Sequence, residues 1–236
     1  MTIESEPHPS TGQPVGLPVD ETPAQPPGPV TLEGRYGRIE KLAPHHEAAL
    51  LKTVQGHDQT WTYMSYGPFS DVTSFSRWFA GRPNLDDPYS YAVVDRSGQA
   101  VGIATLMEIR PAMRVIEVGH IVYSPALQRT PLGTEAQYLL ARYVFETLGY
   151  RRYEWKCNAL NAPSRRAALR YGFAFEGILR QQMIAKGRNR DTAYYSMLDS
   201  EWPQRKLNFE RWLSPDNFTA DGRQKLSLSA LNGKAE

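Results

Sequence analysis

The stretch Gln128-Arg129-Thr130-Pro131-Leu132-Gly133-Thr134 opens a run of helical periodicity, and it opens with a cation and bare backbone amides where a first turn normally recruits Asp or Glu. Thr130 suits the N-cap. Pro131 suits the first helical position, which needs no amide hydrogen. The unpaired amides of such a turn attract an anion, and Arg129 adds a full charge. Two readings stand side by side: an ordinary capped helix, or a phosphate site.

A second helix start follows a strand at Asn161-Ala162-Pro163-Ser164, again with an N-cap residue and a proline in the first turn. Two helix N-termini at the carboxyl ends of neighbouring strands would open into one crevice, the usual place for a ligand. Upstream, "VIEVGHIVY" places Glu117 and His120 among apolar residues. A carboxylate there is costly unless it has a task or a partner, so Glu117 is a candidate base acting through a water, or half of a buried salt bridge. His120 is the alternative base, or a structural histidine.

These residues need a scaffold. A chain of 236 residues with 41% hydrophobic and 22% charged content can bury one sizeable core. Residues 1–29 hold Pro7, Pro9, Pro14, Pro18, Pro23, Pro26, Pro27 and Pro29 and should be extended or disordered. The folded domain is expected over 30–200. It begins with a strand at 30–42 and a helix closed by Gly56, followed by a helix over 71–82 and two strands turning at Arg96-Ser97-Gly98. "RVIEVGHIVYS" continues the sheet. Apolar residues occupy both phases of these strands, which predicts cover on both faces. A helix over 131–148, the strand "RRYEWKCN", a short helix stopping at Gly172 and a hairpin around Gly187 complete it, and 201–236 reads as a helical, then polar, tail.

The order of elements, with "LQRTPLGTEA" and "NAPSRRAALRYGFAFEG", resembles the GNAT superfamily of acyl-CoA-dependent N-acetyltransferases, most closely its ribosomal-protein N-terminal acetyltransferase (RimJ/RimL-like) branch. The resemblance covers about residues 30–200. It implies an α/β (α+β) fold, with a mixed, mostly antiparallel central sheet flanked by helices, and transfer of an acetyl group from acetyl-CoA directly to a primary amine of a small molecule or a peptide N-terminus.

In the resembled family the loop reads Gln-x-x-Gly-x-Gly/Ala and cradles the coenzyme A pyrophosphate. Here only Gly133 of those glycines remains, so the resemblance implies phosphate contacts from Gln128 and from the amides of Arg129, Thr130, Leu132, Gly133 and Thr134. It further implies an amide near Ile121 or Val122 facing the developing oxyanion, Asn161 capping its helix or holding the pantetheine arm, and Ser164 protonating the leaving thiolate. The tyrosine that many relatives use for that proton is replaced by Ala168, Tyr171 is expected to pack, and the glutamate of serine-acetylating relatives falls on Met183.

An acceptor pocket is expected between Trp61, Tyr63, Tyr66 and His120 and the hairpin at 180–191, where Arg188, Arg190 and Asp191 should form surface ion pairs. No metal is expected. Residues 151–190 carry ten basic side chains against Glu154 and Glu176, which leaves a basic nucleic-acid surface as a less favoured alternative, beside a relative that binds acyl-CoA without turnover. The single Cys157 excludes an internal disulfide. Met1 to Glu6 lack an apolar leader core, so a cytoplasmic protein is expected, monomeric or homodimeric.

Overall fold

The computed structural model describes residues 4–233; the outermost residues of both predicted tails, 1–3 and 234–236, including the start of the stretch read as leaderless, lie outside the described residues. Two short strands, β1 (Glu6–Pro7) and β2 (Pro14–Val15), pair with each other ahead of the domain. The proline-rich segment is otherwise extended, and its last part is bonded to the domain. Ala24 N–H donates to Pro111 O at 3.1 Å, Gln25 N–H to Leu148 O at 2.8 Å and Gly28 N–H to the Tyr143 hydroxyl at 3.0 Å.

The sheet is built from β3 (Thr31–Glu33), β4 (Gly37–Lys41), β5 (Tyr89–Asp95), β6 (Ala100–Arg110), β7 (Val115–Tyr123), β8 (Arg152–Asn158), β9 (Ala174–Ala185) and β10 (Arg188–Leu198). Its order is β3-β4-β5-β6-β7-β8-β10-β9, with every neighbouring pair antiparallel except β7 and β8. The expected mixed, mostly antiparallel sheet is therefore present.

Side-chain alternation decides what covers each face. Tyr91 and Val93 of β5 join one core, with α3 (Pro131–Arg142) and α5 (Trp202–Leu213). Ala92 and Val94 join the other, with Leu50 and Val54 of α1 (Glu47–Val54) and Phe75 and Phe79 of α2 (Val72–Ala80). The remaining helices are α4 (Ala162–Arg170) and α6 (Leu228–Leu231).

Three details differ from expectation. The single strand expected over 30–42 is a hairpin, β3 and β4 pairing antiparallel from Thr31–Glu40 to Glu33–Arg38. The helix predicted over 131–148 changes to π-helical winding at Tyr143–Thr147. The tail beyond residue 200 packs into the domain: Trp202, Phe209, Trp212 and Leu213 are buried in the first core, and Asn208 Nδ2 donates to Leu231 O at 2.9 Å. No helix among the described residues is long and apolar enough to cross a membrane.

Candidate active site

Parallel pairing of β7 with β8 runs only from Val115–Arg152 to Val118–Trp155. Just beyond, the partners in β6 and β7 shift from Thr105–Gly119 to Ile103–Val122, so β7 carries an extra residue. That bulge includes His120, whose φ of 45° lies in the left-handed region. The bulge turns β7 away from β8, and a cavity of about 1470 Å³ fills the gap.

Both predicted helix N-termini open into this cavity. Thr130 caps α3, its Oγ1 accepting from Gly133 N–H at 3.1 Å, and Asn161 caps α4, its Oδ1 accepting from Ser164 N–H at 3.1 Å. Gly133 has a steric reason to be glycine: a Cβ there would lie 2.8 Å from Leu127 O. Arg129 adopts φ 62°, a backbone state that glycine reaches without strain. Glu135 ties α3 to the β3–β4 turn, its carboxylate accepting from Arg35 N–H at 2.6 Å and Tyr36 N–H at 2.7 Å.

The expected cradle of five amides is only partly available. Thr130 N–H donates to Leu127 O, Gly133 N–H to the Thr130 side chain and Thr134 N–H to Thr130 O. Capping and anion binding compete for the same donors. The amides of Arg129 and Leu132 have no such bond among the described residues, although the Leu132 side chain is core.

The strand side of the cavity carries Glu117, which is 5% exposed, with Lys156 Nζ at 2.8 Å; Lys156 also meets Glu154 at 3.1 Å. Burial raises the Glu117 pKa, and the Lys156 ammonium opposes the rise. For Lys156 burial works downward, and the two carboxylates outweigh it and raise the value. His120 Nδ1 shares a 2.9 Å hydrogen bond with the Tyr66 hydroxyl, and burial, aided by the charges of Arg82 and Arg190, lowers its pKa to about 4. It is neutral at pH 7.

Ser164 Oγ accepts from the Trp155 indole N–H at 3.1 Å. Because indole only donates, the serine hydrogen is left for another acceptor. The Cys157 thiol is one neighbour, its pKa raised by burial and pulled back by Ser164. As expected, Tyr171 is packed, 9% exposed beside Trp155 and Phe209, although it also touches the cavity. Ala168 is fully buried.

The cavity thus gathers Glu117, His120, Ile121, Gln128, Arg129, Thr130, Gly133, Thr134, Asn161, Ser164 and Tyr63. Four predicted residues keep their side chains out of it, although Val122 and Leu132 were expected to offer only backbone amides. Val122 and Trp61 pack in the second core, Trp61 against Phe69 and Trp78; Leu132 is in the first; and Tyr66 acts only through its bond to His120. The expected surface ion pairs of Arg188, Arg190 and Asp191 are absent among the described residues: Arg190 lines the cavity, and Asp191 accepts from Gln181 N–H at 2.7 Å. The basic run is no single face, since Arg152 pairs with Glu154 and Glu176 while Arg166, Arg170 and Arg190 turn to the cavity.

Sequence reasoning missed Lys156, Arg170, Gln137, Thr192, Trp212 and Gln224, which also line the cavity. Only Lys156 carried a usable signal, lying in a strand of alternating character beside the strand of Glu117. Arg170 donates to Thr134 Oγ1 at 3.0 Å and lies 4.7 Å over the Trp212 ring. Like Arg129, which precedes α3, and Arg166 on α4, it lines the cavity with no carboxylate partner among the described residues. Gln137 Oε1 on α3 and Thr192 Oγ1 on β10 are buried without a partner. This donor and acceptor set fits a long, multiply phosphorylated ligand with amide groups.

The chain is 45% identical to a GCN5-related N-acetyltransferase from Brucella melitensis whose crystal structure matches it with a TM-score of 0.88, over 90% of this chain and 98% of that one. A "probable acetyltransferases (GNAT family)" structure from Chromobacterium violaceum ATCC 12472 is 41% identical with a TM-score of 0.76, covering 83% and 100%. The Bacillus subtilis (strain 168) protein named "Putative ribosomal N-acetyltransferase YdaF" is 29% identical over 178 residues, 71% of this chain and 94% of that one. Residues 38–174 match the acetyltransferase (GNAT) domain, and the chain, an acyltransferase, belongs to that family.

Proposed function

We propose that the protein transfers the acetyl group of acetyl-CoA to a primary amine in the cavity between β7 and β8. The observation that carries this reading is the coincidence in one cavity of the His120 bulge, the parting of the parallel strands and the N-termini of α3 and α4. Acetyl-CoA supplies an activated acetyl group on a thioester. The free amides and Arg129, Arg166 and Arg170 would hold its phosphates, and the backbone of Ile121 beside the bulge would face the thioester. Ser164, already an acceptor for Trp155, turns its own hydrogen to the departing sulfur and regains a proton from solvent, to which Glu117 returns the one it takes from the amine.

Glu117 takes the proton that the amine gives up. His120 is the weaker candidate, because burial holds its pKa near about 4, whereas burial pushes Glu117 up. Freeing a lysine ε-amine at pH 7 costs ~4.6 kcal/mol and freeing an α-amine only ~1 kcal/mol, so so modest a base favours an α-amine. The Bacillus subtilis relative, named for ribosomal N-acetylation, supports a peptide N-terminus as acceptor. The buried free Cys157 suits a reducing cytoplasm.

Calorimetric titration with acetyl-CoA tests the reading. Saturable one-to-one binding, weakened about tenfold or more by Arg129→Glu, is expected from loss and reversal of a charge-assisted contact. Absence of binding at millimolar ligand would remove it.

A further inference from the structure

We propose that Arg190 receives a carboxylate carried by the substrate beside the reacting centre, so that this enzyme prefers an anionic partner; the inference rests on the acyltransferase reading above. The cations lining the cavity sort into three groups, with Glu108 and Glu117 as the carboxylates there. Arg129 precedes α3 and Arg166 and Arg170 lie on α4, Lys156 is held by Glu117 and Glu154, and Arg190 remains.

Arg190 lies on β10, where Thr192 and Tyr194 follow at strand spacing and also line the cavity. It makes no ion pair among the described residues. Its Nη1 donates only to the Met183 thioether at 3.4 Å, a weak acceptor, and its Nε is buried without a partner. Asp191 is no counter-ion, because its carboxylate is taken by Gln181 N–H and Asn189 Nδ2.

Two further observations locate the guanidinium and aim it. Arg190 stands two residues before Thr192, which pairs with Asn158 at the carboxyl end of β8, so it borders the strand wall of the cavity, and its charge is felt at both His120 and Cys157. Thr192 Oγ1, in a residue only 2% exposed, is likewise left without a partner. A half-buried guanidinium beside an unused hydroxyl is costly unless a ligand completes it. A carboxylate fits that fork with two parallel N–H bonds, and the hydroxyl supplies a third donor.

The carboxylate has two possible sources, a dicarboxylic acyl group on coenzyme A or the amine acceptor, and binding separates them without turnover. For the acyl source, the Kd of succinyl-CoA is compared with that of acetyl-CoA. For the acceptor source, N-acetylalanine and its amide are titrated into protein loaded with coenzyme A. The carboxylate form is expected to bind about tenfold tighter or more in one arm, as a charge-assisted hydrogen bond pair allows.

Arg190→Gln should bring that ratio close to one, and Thr192→Val, nearly isosteric, should reduce it by about twofold to fivefold. Unchanged melting temperatures for both variants would show that the fold is intact. Equal affinities in both arms, or a ratio that survives Arg190→Gln, overturn the assignment while leaving the acyltransferase reading in place. Failure of both acyl-CoA compounds to bind overturns that reading, and this inference falls with it.

Discussion

The two walls of the cavity are made by different means. The helix wall is local: Thr130 and Asn161 each cap a helix within three residues, each helix begins with proline in its first turn, and the donors lie on adjacent backbone. The strand wall is assembled from afar. Glu117 meets Lys156 across a parallel pair, His120 meets Tyr66 across 54 residues, and Lys186 at the hairpin tip donates to Trp61 O at 2.8 Å. A wall made of short-range bonds should be robust in shape and tunable in affinity, whereas one made of buried long-range polar pairs should respond to pH.

The largest effect is expected where the helix wall is fastened to the rest of the sheet. Glu135→Ala removes both carboxylate bonds to the Arg35 and Tyr36 amides, and two charge-assisted bonds imply a loss of about 2–4 kcal/mol in urea unfolding. A loss below about 0.5 kcal/mol would mean that water replaces the carboxylate and that the wall is held by packing alone.

The strand wall should reveal itself in acid. His120 has an ordinary pKa of 6.5 in the unfolded chain and about 4 in the fold, so between those values the unfolded chain binds the proton more readily. Stability present above pH 6.5 is lost as the pH falls towards 4, by about 3 kcal/mol from this group. His120→Asn, which tolerates the left-handed backbone, should flatten that part of the profile. Parallel profiles for the two proteins would contradict a depressed His120.

Between the walls stands Ser164, positioned by a helix cap and bonded to the Trp155 indole. Ser164→Ala should lower kcat by ~10-fold with KM changed by less than about twofold, as expected for loss of a proton donor used only as the thiolate leaves. Equal changes in kcat and KM would assign the serine to binding.

The same division explains what could be read in advance. Both caps, both prolines and the two-faced strands were legible because each depends on neighbours within a few residues. Trp61 and Tyr66 read as pocket residues because aromatic content does not say which side of a sheet a loop will fold onto; they belong to the core beneath α2 and to His120. Arg190 read as a surface charge because alternation along β10 could not say which phase faces the cavity. The tail read as helical, then polar, because its periodicity could not say what its apolar face would meet; Trp202, Phe209 and Trp212 are buried in the first core.

The finest test separates shape from affinity within the helix wall itself. Arg129 combines a left-handed backbone with an exposed guanidinium, so one side chain sets a local strain against a charge. Arg129→Gly should relieve the strain and raise stability by about 0.5–1 kcal/mol, reduced from the full left-handed penalty because glycine loses more entropy on folding. The same change should weaken acetyl-CoA binding by about threefold to fivefold through the lost contact with phosphate, an effect that shrinks in high salt. Opposite signs for the two measurements would show that this loop keeps arginine for the ligand rather than for the fold. Weaker stability would instead mean that the arginine packs, and unchanged affinity that the free amides suffice.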